Sequence, residues 1–444
     1  LWQIPALKDV EAPHPQHDAD VAYALDRGYI IRTAEGQPFR NPGFWFHNAL
    51  IPDFTLSEAT DWWLGKRAYL VEELGVDGFK TDGGEHLAGR GLVASDGRRG
   101  NELVNGFPNL YVGAYHRFLR QRRDADTLTF SRAGHTGAGQ FPAHWAGDEN
   151  STWDAFRRSL IAGLTAGLSG VPFWGWDLAG FSGAVPSAEL YLRAAAMAAF
   201  CPIMQYHSEY NPSGESRDRT PWNVARQTGD ERVVPLYRFF ARLRMNLLPY
   251  LVCEAAHSAA TGEPLMRALL VDFPDDALAW SIADEYLFGR SLLVAPVMEE
   301  GTTVRRLYLP RGLWHDLWSG VAWEGGGWID VPAPLDRIPV FVRAGTVLPL
   351  NLGGFGAAGA LGDDVGNAVD AYSALNFWLY PADRVAYEWV DARGERRQIL
   401  AEQERAGTMR VLLPPLPVTC ALVVPGGPSV QVEPSAMPRS LTLE

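Results

Sequence analysis

The chain has 444 residues, a length that suits two or three domains of ordinary size. Hydrophobic residues make up 47% of it and charged residues 20%, a globular composition without the signature of disorder. Acidic side chains outnumber basic ones by 52 to 39, and the net charge of −13 disfavours nucleic acid and anionic membranes as partners.

The first residues, 1–7, read as a buried strand with no cap or leader before it. Because chain termini usually lie at the surface, we expect an N-terminal part of the protein to precede this sequence. Strand-like and helical stretches then alternate along the chain. Hydrophobic spacing predicts helices over residues 53–74, 109–122, 153–168, 189–199 and 231–259. It predicts strands over residues 76–80, 127–130, 171–176 and 202–206, and another that ends at 144–148.

Repeated alternation of strand and helix indicates parallel β/α units. The strand-like segments end in polar residues near glycine, at 81–85, 131–132, 147–148, 176–177 and 207–209. In a (β/α)8 barrel, chemistry lies at these C-terminal strand ends. Six strand-like segments precede His207, whereas a closed barrel needs eight. The fold class we predict is therefore α/β, a (β/α)8 TIM-type barrel whose first two strands lie upstream of this sequence.

Beyond about residue 280 the pattern changes to period-2 alternation with frequent Gly and Pro, which favours an antiparallel β-sandwich. Residues 351–366 are rich in Gly and Ala and are predicted to be a linker or loose loop, and residues 376–424 read as further strands. We predict a catalytic barrel over 1–280, a proximal C-terminal β-domain over 281–350, and a distal, partial β-domain over 351–444.

Two carboxylates at strand ends are the strongest candidates for chemistry. Asp82 lies in Phe79-Lys-Thr-Asp-Gly-Gly-Glu85, and Asp148 lies in His144-Trp-Ala-Gly-Asp148. Retaining glycoside hydrolysis needs two carboxyl groups about 5–5.5 Å apart, one as nucleophile and one as acid/base. Two strand ends of one barrel can supply such a pair.

Neighbouring side chains support a sugar site, but alternatives stay open. Lys80 and Arg132 are nearby cations, and a cation favours the ionised form of a nucleophilic carboxylate. Trp145 and Trp176 offer flat walls for a sugar ring. An Asp at a strand end is also often only a helix cap, and an aldolase with Lys80 as Schiff-base lysine competes. A metal-dependent hydrolase competes too, although no cluster of His, Asp and Glu shows metal-ligand spacing.

Several segments, in the right order, resemble glycoside hydrolase family 31. The stretch Val76-Asp-Gly-Phe-Lys-Thr-Asp-Gly-Gly-Glu85 looks like its nucleophile segment, and residues 130–134 with 140–148 look like its acid/base segment. Residues 173–181, Phe-Trp-Gly-Trp-Asp-Leu-Ala-Gly-Phe, are similar to the next strand segment. Residues 267–297 and 307–343 hold further short matches to the regions that follow the barrel. The resemblance covers most of residues 1–350.

The resemblance implies a retaining α-glycoside hydrolase, with an N-terminal β-sandwich before the barrel and proximal and distal β-domains after it. It implies that Asp82 is the nucleophile that forms a glycosyl-enzyme, and that Asp148 is the acid/base. The candidate substrate-binding residues are Arg132, Lys80, Trp145, Trp176, Asp177, His207 and Trp2. Asp177 either contacts substrate or orients Arg132 or a turn, and Trp2 either lines the pocket or fills the core.

Two positions depart from the family pattern. Many members have His where this chain has Trp176, which changes the hydroxyl pattern that the site accepts. Many have an aromatic residue where this chain has Gly83, and we expect the smaller residue to enlarge the pocket there.

The function that we predict is that of an exo-acting α-glucosidase working by double displacement. The alternatives on the same scaffold are an α-xylosidase, an α-galactosidase and an α-transglycosylase, and a non-catalytic carbohydrate-binding protein is the alternative of another class. We expect an oligosaccharide or α-glycoside as partner, and neither a metal nor another cofactor. Three scattered cysteines indicate no disulfide framework. Sparse cysteine and the lack of a visible leader favour the cytoplasm, with an upstream secretion signal left open.

Overall fold

A computed structural model describes the chain except for residues 11, 124–126, 213, 356–360, 364–371, 373–374, 392, 406 and 444. It divides into two compact units, residues 1–145 and residues 146–444. Within the described residues, no helix combines the length and the apolar character needed to cross a membrane. Cys201, Cys253 and Cys420 are all buried free thiols.

The first unit is built around a parallel sheet with the strand order β1-β3-β5-β6. Its strands are β1 Trp2–Gln3, β2 Arg32–Thr33, β3 Gly78–Thr81, β4 Leu92–Val93, β5 Leu128–Ser131 and β6 Ala143–Trp145. Its α-helices are α1 Pro15–Asp26, α2 Ser57–Gly65, α3 Ala68–Glu72 and α4 Gly100–Arg122, and a 3-10 turn covers Ala138–Gln140. The outlying strands β2 and β4 pair antiparallel.

Close packing in this unit places the C-terminal end of β3. At the start of β3, a Cβ on Gly78 would lie 2.5 Å from the carbonyl oxygen of Leu128, so only glycine lets β3 and β5 approach this closely. At the other end, the buried Tyr111 of α4 donates its hydroxyl to the carbonyl oxygens of Gln3 and Asp82, at 3.1 and 3.3 Å. Helix α4 thereby ties the ends of β1 and β3 together.

Three helical predictions differ from the structure. The helix predicted over 109–122 begins earlier, at Gly100. Local breaks divide two other stretches whose hydrophobic pattern is continuous. Residues 53–74 form two helices, α2 and α3, rather than one. Leu56 stands at the N-cap of α2 without a side-chain cap, and the Asp53 carboxylate accepts from the amides of Thr55 and Ser95. Residues 231–259 also form two helices, since Pro249 opens the second one.

The second unit begins with a helical region. Its helices are α5 Trp153–Leu168, α6 Ala188–Ala198, α7 Pro221–Thr228, α8 Val233–Asn246, α9 Leu248–Thr261 and α10 Leu269–Asp272. Thr152, Ser187 and Thr220 cap α5, α6 and α7 with their hydroxyl oxygens. Strand β7 is only Trp174–Gly175. The strand predicted over residues 202–206 is wrong: this segment forms no strand, although the carbonyl of Gln205 accepts from the amide of Leu178 at 3.2 Å.

The rest of the second unit is β-rich. Its strands are β8 Met266–Arg267, β9 Tyr286–Phe288, β10 Leu292–Val294, β11 Val304–Leu309, β12 Leu313–Asp316, β13 Ala322–Glu324, β14 Gly327–Pro332, β15 Val340–Arg343, β16 Thr346–Asn351, β17 Leu375–Tyr380, β18 Arg384–Val390, β19 Arg396–Arg405, β20 Thr408–Leu413, β21 Cys420–Val423, β22 Ser429–Val432 and β23 Arg439–Leu443.

These strands form mostly antiparallel sheets, with the orders β13-β12-β15-β10-β9-β8, β11-β14, β16-β17-β21-β22 and β18-β19-β20-β23. The β17–β21 pair is parallel. Much of the predicted linker at 351–366 lies outside the described residues. The domain boundaries at 280 and 350 stay predictions.

Candidate active site

Asp82 lies just past the end of β3, and the residue is 8% exposed. Its Oδ2 accepts the indole N–H of Trp2 at 2.6 Å, and its Oδ1 accepts the amide of Gly83 at 2.8 Å. Nη1 of Arg132 lies 3.2 Å from the same Oδ1. Donors on three sides hold the carboxylate in one orientation, as a nucleophile needs. The sequence predicted this Asp at a strand end but not its bond to Trp2.

Arg132 follows β5 and bridges two carboxylates. Its guanidinium ion-pairs with Asp82 and, through Nη2, with the more exposed Glu85. Its Cζ lies 4.5 Å from the ring centre of Trp45, so one face of the cation rests on an indole. The structure thus brings Trp2 and Arg132 each into direct contact with Asp82 within the first unit.

Lys80 and Trp145 form a second contact in this unit. The Lys80 ammonium lies 4.2 Å from the ring centre of Trp145 and 5.8 Å from that of Phe130. Trp145 is almost fully buried, and Lys80 occupies one face of its ring. Their roles as sugar contacts stay predictions.

A residue that the sequence did not single out, His86, stands next to the candidate nucleophile. A Cβ on Gly83 would lie 2.2 Å from Cε1 of His86, and Gly83 has a φ of 74°. The expectation that Gly83 enlarges the pocket is wrong at this point, because the His86 ring fills that space. Burial lowers the pKa of His86, although the charge of Glu85 opposes this, and Nδ1 accepts from the amide of Gly84.

An aromatic loop covers His86. The ring centres of Trp45 and Phe46 lie 4.9 and 5.6 Å from that of His86. Phe46 and Asn48 have φ values of 52° and 64°, which are strained for residues with side chains. The Asn41 amide holds this turn by donating to the carbonyls of Trp45 and Phe46.

In the second unit, the candidate acid/base Asp148 is exposed, and the residue after it is not. Burial raises the pKa of Glu149 to about 7, and the charges of Asp177 and Asp148 add to the rise. The Glu149 carbonyl accepts from the amides of Phe181 and Ser182, at 2.8 and 2.9 Å. Sequence reasoning missed Glu149, since nothing in its immediate neighbours signals burial.

The other candidates of this unit differ in exposure. Asp177 is fully buried and accepts from Nε2 of Gln205 at 2.6 Å. Trp176 is 1% exposed and stacks on Phe156, with the rings 5.3 Å apart and 14° from parallel, which is a core position. His207 is exposed, with its ring 5.1 Å from that of Phe181. The substrate contacts predicted for Trp176, Asp177 and His207 stay predictions.

Possible metal ligands do not cluster in the part of the chain that the structure describes: no three His, Cys, Asp or Glu side chains there are placed to share an ion. The expectation that no cofactor is needed stays a prediction.

Parallel β/α strands with polar side chains at their C-terminal ends are typical of TIM-barrel enzymes. Residues 1–253 match the family model "Glycosyl hydrolases family 31 TIM-barrel domain", and residues 262–348 match "Glycosyl hydrolase family 31 C-terminal domain". The chain belongs to glycoside hydrolase family 31, which confirms the resemblance read from its motifs. A TIM-barrel domain followed by β-rich C-terminal structure is likewise confirmed.

The chain is similar to many proteins of known sequence or structure, among them the following three. An isomaltosyltransferase of Sporosarcina globispora is 44% identical over 92% of this chain and 37% of its own length. The cycloalternan-forming enzyme of Listeria monocytogenes, solved with a pentasaccharide substrate, has a TM-score of 0.95 and 37% identity over all of this chain and 45% of its own. The cycloalternan-degrading enzyme of Trueperella pyogenes, solved with a covalent intermediate, has a TM-score of 0.76 and 48% identity over 78% of this chain and 47% of its own. The chain thus spans less than half the length of each.

Proposed function

We propose that this chain carries the catalytic part of a retaining α-transglycosylase that moves isomaltosyl units between α-glucans. The observation that carries the proposal is the Asp82 carboxylate, fixed at the end of β3 by Trp2, Gly83 and Arg132. The similarity to the isomaltosyltransferase covers 92% of this chain, and that to the cycloalternan-forming enzyme covers all of it. These two relatives support glycosyl transfer rather than simple α-glucosidase action.

The proposed reaction has two displacements. An oxygen of Asp82 attacks the anomeric carbon while Asp148 gives its proton to the departing glycosidic oxygen. The bond to the leaving group breaks, and an ester joins the sugar to Asp82. An acceptor hydroxyl then gives its proton to the Asp148 carboxylate and attacks the anomeric carbon, which releases Asp82. The acceptor is a sugar hydroxyl in transfer and water in hydrolysis.

Hydrolysis of the same bond is the second candidate. The cycloalternan-degrading enzyme favours it, since that protein is 48% identical over 78% of this chain. Both candidates use the same carboxylates, so they differ only in what reaches the glycosyl-enzyme.

Covalent trapping tests the shared chemistry. The full-length protein would be incubated with 5-fluoro-α-glycosyl fluorides of gluco, xylo and galacto configuration and of the isomaltosyl unit, then examined by intact mass and peptide mapping. We expect an adduct on the peptide that contains Asp82, and none in Asp82→Ala. The matched control is Asp77→Asn, since Asp77 is an exposed carboxylate just before β3 that pairs with Arg123. An adduct on another residue, or none from folded protein, would overturn the proposal.

Product analysis separates transfer from hydrolysis. With an isomaltosyl donor and maltose as acceptor, we expect the transfer product to exceed free isomaltose. Mostly free isomaltose would favour the hydrolytic candidate, and free glucose as the first product would favour an α-glucosidase.

A further inference from the structure

The β-rich part of the second unit carries two cavities whose lining includes none of the candidate site residues. A cavity of about 510 Å³ is lined by the loop 272–278 together with Tyr308 and Arg311. A second cavity of about 530 Å³ shares Phe273 and Arg311 with the first and continues as far as Asp383. Because the two cavities share these two lining residues, they lie next to each other, and together they are called the groove below.

Two exposed tryptophans stand beside the first cavity. Trp280 is 63% exposed, yet its indole N–H donates to the carbonyl of Pro274 at 2.9 Å, so its orientation is fixed. Trp328 is 44% exposed; its ring centre lies 5.6 Å from that of Tyr308 and 5.6 Å from Cζ of Arg306, which lies over one face of the ring. An indole face held in place but left open to solvent is preorganised for stacking, which lowers the entropic cost of binding.

Several of the charged side chains that line the groove are already paired with other groups of the protein. Asp272 pairs with Arg267 and Arg343, at 3.0 and 3.1 Å. Asp276 accepts the Tyr308 hydroxyl at 2.5 Å. The exposed ions that remain among the groove's lining residues are Asp275, Arg311 and Asp383, two acidic and one basic. A neutral, hydroxyl-rich ligand therefore fits better than a charged peptide or an anion.

We propose that this groove is a secondary binding site for a neutral α-glucan chain, with Trp280 and Trp328 as stacking faces. The choice of an α-glucan rests on the proposed function, whereas the groove itself does not. A polymer held there would stay bound to the enzyme between catalytic events, which raises its effective concentration at the active site.

The test measures polymer binding and catalysis separately. The full-length protein would be run in native gels containing dextran, with excess isomaltose to occupy the active site. In Trp280→Ala/Trp328→Ala, we expect affinity for dextran to fall about tenfold or more. We expect kcat/KM on a short aryl donor to stay unchanged.

The matched control is Trp222→Ala, which removes a Trp that is 65% exposed on α7, a helix that supplies none of the groove's lining residues. Thermal melting verifies that each variant is folded. If the double variant is unfolded, Trp280→Ala alone is used in the binding and kinetic measurements. Unchanged dextran affinity in the groove variant, or an equal loss in the control, overturns the proposal. If the proposed function is wrong, the unaltered protein will be inactive on the short aryl donor. That result is independent of dextran binding in the gels.

Discussion

Replacing Trp2 by Phe tests whether the bond to Asp82 matters for catalysis. The change keeps an aromatic ring and removes the N–H that donates to Oδ2 of Asp82 at 2.6 Å. A hydrogen bond to a charged group contributes about 1.5–3 kcal/mol, and the low end applies because Trp2 is half-exposed. The bond acts on catalysis by fixing the orientation of the attacking carboxylate; if that energy is lost from positioning, kcat/KM falls about tenfold, mainly in kcat, since about 1.4 kcal/mol is a factor of ten.

The assay uses two donors, one with an activated aryl leaving group and one with a sugar leaving group. If Trp2 acts through the nucleophile, both donors lose the same factor, and trapping by the 5-fluoro fluoride slows equally. Trp62→Phe is the control, because Trp62 packs against Tyr23 and Lys66 rather than at Asp82. A rise in KM with kcat unchanged would refute the reasoning and leave Trp2 as a substrate contact only.

Three further predictions follow from the same contacts. Gly83→Ala should destabilise the fold by about 1–3 kcal/mol, because its Cβ would meet His86, and His86→Ala should recover part of that loss in thermal unfolding of the double variant. Arg132→Lys should lower kcat by about tenfold or more, because the single ammonium of Lys cannot donate to Asp82 and Glu85 with the forked geometry of a guanidinium. In the same kinetic assay, Glu85→Gln should lower kcat by a smaller factor. Burial raises the pKa of Glu149 to about 7, so the contribution of this residue to stability is complete below about pH 4.5 and is lost as the pH rises through 7. Glu149→Gln should therefore be more stable than the unaltered protein at pH 8, by up to about 2 kcal/mol, and equally stable at pH 4. Melting curves across this pH range would show the difference.

The parts of the site that could be predicted from sequence are those that depend on neighbours along the chain. Alternation of strand and helix, and an Asp immediately after a strand, are local patterns, and they located Asp82. Helix boundaries were less predictable where one residue breaks a continuous hydrophobic pattern, as Pro249 does between α8 and α9.

The contacts that orient the site could not be predicted, because they join residues far apart in sequence or depend on exact packing. Trp2 and Asp82 are 80 positions apart, and only the pairing of β1 with β3 brings them together. The position of the His86 ring over Gly83 depends on the φ of 74° at Gly83. The presence of a glycine in the sequence does not by itself reveal that value, because glycine adopts both positive and negative φ. The burial of Glu149 is likewise a result of tertiary packing.

The sharing of Arg132 between two carboxylates affects the charge balance during a catalytic cycle. Before reaction, one guanidinium faces the two anions Asp82 and Glu85. In the proposed glycosyl-enzyme, the ester at Asp82 carries no charge, so the cation faces a single anion and the group becomes neutral as a whole. Glu85 therefore keeps Arg132 paired with an anion, and in place, while Asp82 is esterified. When the acceptor attacks and Asp82 regains its charge, the arginine is already positioned to receive it.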